Sequence, residues 1–266
     1  MVTPSSYTSL PDVPDAFAWS AEAWGAGLRC APLQALTPHV FSTRHLSLSS
    51  HHGPAWLEAA VASRTVASVR QVHGRHVVVV RDGTGLDPGV EADVLVSSDT
   101  DIAVSVRAAD CVPLLMADRA RGVVAAVHAG WRGTAASAAV AGVEALGREF
   151  GSRAADLVAA IGPCIGACCY EVGPELVDAF AAAGHERHLI DRWFVSLPPP
   201  RGSRARGPLH LDVAGANRDQ LLLAGVPPDQ IHVAGLCTAM HLDVLTSYRA
   251  EKEKAGRLVA AIRATT

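Results

Sequence analysis

Apolar and polar positions along this chain follow two periods and exchange them several times. Between residues 65 and 130, short β-branched or alanine-rich runs alternate with turn residues, which is the spacing of strands. "TVASVRQVHGRHVVVVRDG" predicts two strands around a turn at Gly74, and "ADVLVSS" and "DIAVSVR" predict two more around Asp99 to Asp101. "VPLLMAD" and "GVVAAVHAG" predict a further pair, linked by a tight Asp-Arg-Ala-Arg-Gly turn. From about Gly133 to Phe150 the period becomes that of a helix, with Gly151 as its stop. A strand in "DLVAAIGP", helices in "GPELVDAFAAAG" and "LDVAGANRDQLLLAG", the second with Asp212 as N-cap, and a strand in "QIHVAG" complete the pattern. Residues 1–35 read as an irregular lead-in followed by an edge strand. "VFSTRHLSLSSHHGPAW" reads as polar loop with a helix at 56–63. Residues 196–208, "SLPPPRGSRARGP", form the one low-complexity segment, a Pro/Arg-rich loop. With no repeat and no clean linker, the expectation is one domain over 1–266, built of mixed strands and helices.

Composition narrows the class. With 266 residues, 49% apolar and 18% charged, the chain can bury a substantial core. A net charge of −3 gives no electrostatic footprint for nucleic acid. No run approaches the ~18 uninterrupted apolar residues of a membrane span. The N-terminus lacks a basic segment followed by an apolar one, so no secretory signal is read there and a cytoplasmic location is expected. In that compartment the six cysteines are expected as thiols. Lys252 and Lys254 are the only lysines, which leaves none for buried Schiff-base chemistry.

Three segments then bring metal-capable side chains to positions where predicted strands meet turns: His73 in "RQVHG", Cys111 in "RAADCVPL" and His128 in "AVHAGWRGT". Two imidazoles and a thiolate suit Zn²⁺ and leave a fourth position for water or substrate. The same residues admit other readings. Cys111 could be a nucleophile with His128 as its base, or Cys111 and His73 could be a packed thiol and a turn residue. "IGPCIGACCYEVGPE" holds Cys164, Cys168 and Cys169 in a turn without the paired spacing of a structural zinc site. It reads as tight packing or as a pocket wall. Arg44 in "VFSTR" and Arg132, framed by glycines in "GWRG", offer a seat for phosphate or carboxylate. The remaining histidines, His39 among them, read as exposed loop or structural residues.

"FSTR", "RQVHG", "ADC-P", "HAGWRGT", "IGP-IG--CYEVG", "LD---ANRDQL--AGV", "CT" and "SYR" occur in that order between Val40 and Ile262. Together they resemble the YfiH/laccase-domain family, whose members have been called polyphenol oxidases, purine nucleoside phosphorylases and peptidoglycan editing factors. The resemblance implies an α+β fold of mixed β-sheet layers sandwiched by helices, similar to the catalytic domain of the cytotoxic necrotizing factors. It implies metal ligands at His73, Cys111 and His128, with Zn²⁺ as the ion and Cu²⁺ as an alternative. It implies phosphorolysis of adenosine, inosine and methylthioadenosine, together with adenosine deamination. Purine nucleoside and phosphate are then the partners. Cys111, Asp110 and Arg132 become the expected catalytic residues, Asp110 as a proton shuttle, and Arg44, Arg132, Gly133 and Tyr170 the expected substrate and phosphate contacts. Editing of a peptidoglycan precursor and copper-dependent oxidation of phenols are the alternatives. Multicopper chemistry needs about ten histidines, many in His-x-His pairs, and this chain has no such pair. "HLSLSSHHGPAW" and "LTSYRAE" depart from the family pattern, as does the 196–208 loop.

Overall fold

The run Val112–Asp118 is buried at every position. Successive side chains of a strand point to opposite faces. Here Val112, Leu114 and Met116 join one apolar cluster, whereas Leu115 and Ala117 join another. A strand buried on both faces reads as a continuous apolar run, and it must lie inside a layered fold.

The computed structural model describes residues 10–81, 83, 86, 87, 89–196 and 207–265. Its strands begin with β1 (Phe17–Glu22), β2 (Gly25–Cys30), β3 (His39–Ser42), β4 (Thr65–Ala67) and β5 (Val77–Val80). β6 (Val94–Ser97), β7 (Ile102–Ala108), β8 (Val112–Asp118), β9 (Val124–Ala129) and β10 (Leu157–Ile161) follow. The last are β11 (Phe194–Ser196), β12 (Leu209–Leu211), β13 (Ile231–Val233) and β14 (Leu258–Arg263). Among these residues two six-stranded sheets form, in the orders β1-β2-β3-β14-β7-β4 and β13-β10-β8-β9-β6-β5, with β11-β12 as a separate ribbon.

The helices are α1 (Ala31–Gln34), α2 (Gly53–Ala60), α3 (Trp131–Ala135), α4 (Ala138–Phe150), α5 (Glu175–Ala182), α6 (Arg187–Trp193), α7 (Val213–Leu223) and α8 (Tyr248–Glu251). Leu28, Phe41, Val104 and Leu258 of the first sheet pack on Leu95, Leu115, Val124 and Val158 of the second, so the sheets stack face to face. Helices α4 to α7 cover the outer face of the second sheet, and α2 places Leu57 against Val40, Val259 and Ala261 on the outer face of the first. This is the expected α+β arrangement of sheet layers sandwiched by helices. The seating of α4 is close. A Cβ added at Gly142 would lie 2.6 Å from Met116 Cε and 3.0 Å from Val127 Cγ2. No helix among the described residues is long and apolar enough to cross a membrane.

Four local expectations are corrected. Residues 17–30, within the segment read as a lead-in followed by a single edge strand, form the antiparallel hairpin β1-β2 with six register pairs, β1 at the sheet edge. β4 and β5 are not partners across Gly74; each pairs in parallel with a different strand, in a different sheet. His39 is not an exposed loop residue. It lies in β3, fully buried, with Nε2 accepting from the Cys30 N–H at 2.9 Å. The helix expected from 133 to 150 breaks at Ser137, which has φ +61°. The Thr134 carbonyl accepts from Gln220 Nε2 at 2.7 Å, and His185 Nε2 lies 2.8 Å from the Ala135 carbonyl. These tertiary partners replace helical ones, which an alanine-rich periodicity does not reveal. Residues 197–206 of the Pro/Arg-rich loop lie outside the described residues.

Candidate active site

Strands β8 and β9 are antiparallel, with Val112 opposite Ala129 and Pro113 opposite His128. Continuing that register sets Cys111 opposite Gly130. Cys111 and His128 are therefore diagonal neighbours on one face, the face that carries Leu115, Ala117, Val124 and Ala126 into the core between the sheets. The inter-sheet core thus ends in a thiol and an imidazole. Gly130 is required beside them. A Cβ there would lie 2.8 Å from Cys111 Sγ and 3.0 Å from His73 Cδ2.

On the other side of β9, the register of Val94 with Val127 places Asp93 opposite His128. Asp93 is fully buried, and its Oδ1 lies 2.8 Å from His128 Nδ1. The same carboxylate accepts from the backbone N–H groups of Val72 at 3.2 Å, His73 at 3.0 Å and Gly74 at 2.6 Å. One buried side chain therefore orients the His128 ring and pins the turn that presents His73. His73 has φ +62°, a conformation costly for a residue with a Cβ. The two imidazole rings meet edge to face with centroids 4.8 Å apart. Asp93 was not singled out in the sequence. Its signal is an acid at the mouth of the fully buried strand β6, meaningful only once its cross-strand partner is known.

One donor atom from each of His73, Cys111 and His128 lies within 4.8 Å of the other two. Burial works against the Cys111 thiolate, but hydrogen bonds and charge from His128 and His73 outweigh it and bring the thiol down to about 7. Burial likewise opposes a charged His128, yet Asp93 and Cys111 raise it to about 9. The thiolate is thus within reach near neutral pH, with the charge of His128 standing where a cation would. With Nδ1 of His128 fixed by Asp93, Nε2 is left as the donor, the usual carboxylate–histidine–metal arrangement. The residues present fit a divalent metal.

This group lies on a cavity of about 960 Å³, in the size range of small-molecule sites. Tyr170 lines it, together with Trp131 and Ile165. Asp110 also lines it, at φ +86°. Its Oδ1 accepts from Thr238 Oγ1 at 2.6 Å and its Oδ2 from the Arg249 N–H at 2.6 Å. That clamp fixes the residue next to Cys111, which describes a positioning residue better than a freely moving proton shuttle.

Three expected contacts fall elsewhere. Arg44 pairs with Glu251 at 2.9 Å and donates to the Leu242 carbonyl, which ties it to the segment around α8 instead of the cavity. Arg132 is exposed and stacks on Trp131, its guanidinium carbon 4.2 Å from the ring centroid. Gly133 faces the turn of His73, where an added Cβ would lie 3.1 Å from the Gly74 carbonyl oxygen. In their place Arg70, Arg107, Arg249, Lys252 and Arg257 border the cavity, against the carboxylates of Asp110 and Glu253. Among the described residues, Arg107, Arg249, Lys252 and Arg257 have no carboxylate partner. The sequence shows arginines everywhere, and only the fold sorts those that face the cavity.

The architecture recurs in solved structures. YlmD from Geobacillus stearothermophilus superposes with a TM-score of 0.79 at 28% identity, over 95% of this chain and all of that one. The Bacillus licheniformis hypothetical protein YfiH superposes with 0.78 at 26% identity, over 93% and 99%. A purine nucleoside phosphorylase of Deinococcus radiodurans is 34% identical over 248 residues, 85% of this chain and 88% of that protein. One from Bacteroides thetaiotaomicron is 36% identical over 64% of this chain, which spans 60% of that protein's length. Adenosine deaminase RL5, from an unknown prokaryotic organism, is 40% identical over 55% of this chain and 52% of its own. Fold, site and relatives together define an enzyme. Residues 54–265 match the family described as multi-copper polyphenol oxidoreductase laccase, and the chain belongs to this YfiH/laccase-domain family.

Proposed function

We propose that the chain is a zinc-dependent purine nucleoside phosphorylase with adenosine deaminase activity, acting on adenosine, inosine and methylthioadenosine. The observation that carries this reading is an open three-donor set on a cavity bordered by five cationic side chains and only two carboxylates. That balance suits an anionic co-substrate such as phosphate. The relatives named for nucleoside phosphorolysis and adenosine deamination support the same assignment.

His73, Cys111 and His128 would hold the zinc, which supplies Lewis-acid polarisation of a bound oxygen or ring nitrogen. Structural zinc is normally closed by four protein ligands, so a three-ligand set with a cavity before it favours catalysis. Asp93 keeps the His128 proton on Nδ1 and so keeps Nε2 free to ligate. Asp110, clamped by Thr238 and the Arg249 amide, fixes the backbone that presents Cys111. Arg107 and Arg249 draw phosphate towards the cavity, and Trp131 and Tyr170 offer aromatic surface to the purine.

The test incubates zinc-loaded protein with adenosine, with and without phosphate, and resolves the products by mass spectrometry. Adenine with ribose 1-phosphate, or inosine, absent in Cys111→Ala, is the expected result. Unchanged adenosine under every condition overturns the assignment.

A further inference from the structure

Outside the cavity, a second group of soft donors comes together. Cys168, Cys169 and Cys237 each place a sulfur within 4.8 Å of the other two. The sulfurs of Cys168 and Cys169 are 3.6 Å apart. Cys237 arrives from a different segment, through a bridge in which Cys164 N–H donates to the Leu236 carbonyl at 3.2 Å and Thr238 N–H to the Cys164 carbonyl at 3.0 Å. The turn bends inward over Gly166, whose N–H donates to Cys237 Sγ at 3.2 Å. A Cβ on Gly166 would lie 3.2 Å from Cys168 Sγ and 3.6 Å from Cys237 Sγ, so the glycine keeps the space among the thiols open. None of the three cysteines borders the cavity.

We propose that Cys168, Cys169 and Cys237 form a second metal site, a trithiolate seat for copper(I), separate from the His73/Cys111/His128 centre. Metal–thiolate bonds of ~2.3 Å place three sulfurs around one ion at mutual distances of ~4 Å. The sulfurs already stand close to that triangle, with no two more than 4.8 Å apart and Cys168 and Cys169 at 3.6 Å. A disulfide between Cys168 and Cys169 fits poorly. Adjacent residues have Cα atoms ~3.8 Å apart, inside the usual lower limit of ~4.4 Å for a disulfide. The donor set is all sulfur, with no imidazole or carboxylate in the group. Soft thiolates select soft ions, and three of them without a fourth protein ligand match trigonal copper(I) better than tetrahedral zinc. Each ligating thiol gives its proton to solvent as the ion binds, and no oxidant or reductant is consumed. The ion would tie the 164–170 turn to Cys237, next to the Thr238 that holds Asp110.

The test uses the full chain, reduced under argon and first loaded with one equivalent of zinc. Copper(I) is then titrated in against bathocuproine disulfonate. One further equivalent is expected, with thiolate-to-copper absorbance in the near ultraviolet and the zinc retained. Cys168→Ser/Cys169→Ser should take up no copper while keeping its zinc and its melting temperature. The single exposed change Cys168→Ser should weaken copper binding at least tenfold. Copper uptake that displaces the zinc, uptake undiminished in the double variant, or no uptake by the wild type each overturns the site.

Discussion

Replacing Asp93 by Asn changes one atom and no volume, yet it should disable the centre. Oδ1 of Asp93 serves His128 Nδ1 and the His73 N–H, while Oδ2 serves the Val72 and Gly74 N–H groups. Asparagine has one acceptor oxygen, so either orientation turns an NH2 group onto two donors. If it serves Val72 and Gly74, the NH2 faces Nδ1, and the imidazole can accept only by moving its proton to Nε2, the atom that would hold the metal. If it serves His128, the turn that presents His73 loses two anchors. A hydrogen bond to a charged acceptor is worth ~1.5–3 kcal/mol, so two bonds amount to ~3–6 kcal/mol. Relaxation of the exposed His73 turn should return part of this, leaving a stability loss of ~2–3 kcal/mol. Loss of a carboxylate that orients a metal-bound histidine typically lowers affinity ~10–100-fold. Zinc competition against a chromophoric chelator reads the second number and urea unfolding the first. A folded Asp93→Asn protein that binds zinc as tightly as the wild type would refute the tautomer argument.

Gly130→Ala puts a methyl 2.8 Å from Cys111 Sγ and should lower metal occupancy, measured by elemental analysis, more than it lowers the melting temperature. Burial holds His39 neutral by pushing it from 6.5 to about 4. Its stabilisation is therefore intact above pH 6.5 and lost as pH falls through about 4, a span worth ~3 kcal/mol. Urea midpoints measured from pH 7 to 4 should fall accordingly, and His39→Gln should flatten that part of the slope. Arg107→Ala should raise the KM for phosphate ~10-fold or more, the loss of one charge-assisted bond. Arg44→Met should leave that KM unchanged and cost ~1 kcal/mol of stability, because its partner is Glu251. A phosphate KM that moves with Arg44 instead of Arg107 would reverse the assignment of the anion seat.

The strands of the second sheet, with β4 and β7 of the first, were legible because runs such as β8 and β9 leave few polar positions to obscure them. By contrast, β3 was read as part of a polar loop and β14 was not read, although both are buried on two faces. The three donors were legible as residues at strand ends. Their meeting was not, since it depends on a register and on Asp93, which no periodicity marks. One edge strand was read where the hairpin β1-β2 stands, because β1 carries mixed residues such as Ser20 and Glu22, which bind Arg29 instead of filling a core. His39 was misread for the opposite reason. A histidine before a short strand looks like loop until Cys30 is seen to donate to it. The choice among arginines could not be made from types alone, because stacking on Trp131 and pairing with Glu251 are tertiary facts.

The antiparallel pairing of β8 with β9 also sets what this family can change without losing its chemistry. The count of residues between Cys111 and His128 belongs to the turn at Arg119 to Gly122, whereas their diagonal placement belongs to the strands. An insertion absorbed wholly by that turn alters the count and leaves the donors facing each other. An insertion that slips the strands by a single residue sends one donor to the helix-covered side and ends the site at once. Divergent relatives should therefore be aligned by which residue stands across from which. By that measure Gly130 opposite Cys111 and Asp93 opposite His128 belong to the pattern as much as the three donors themselves.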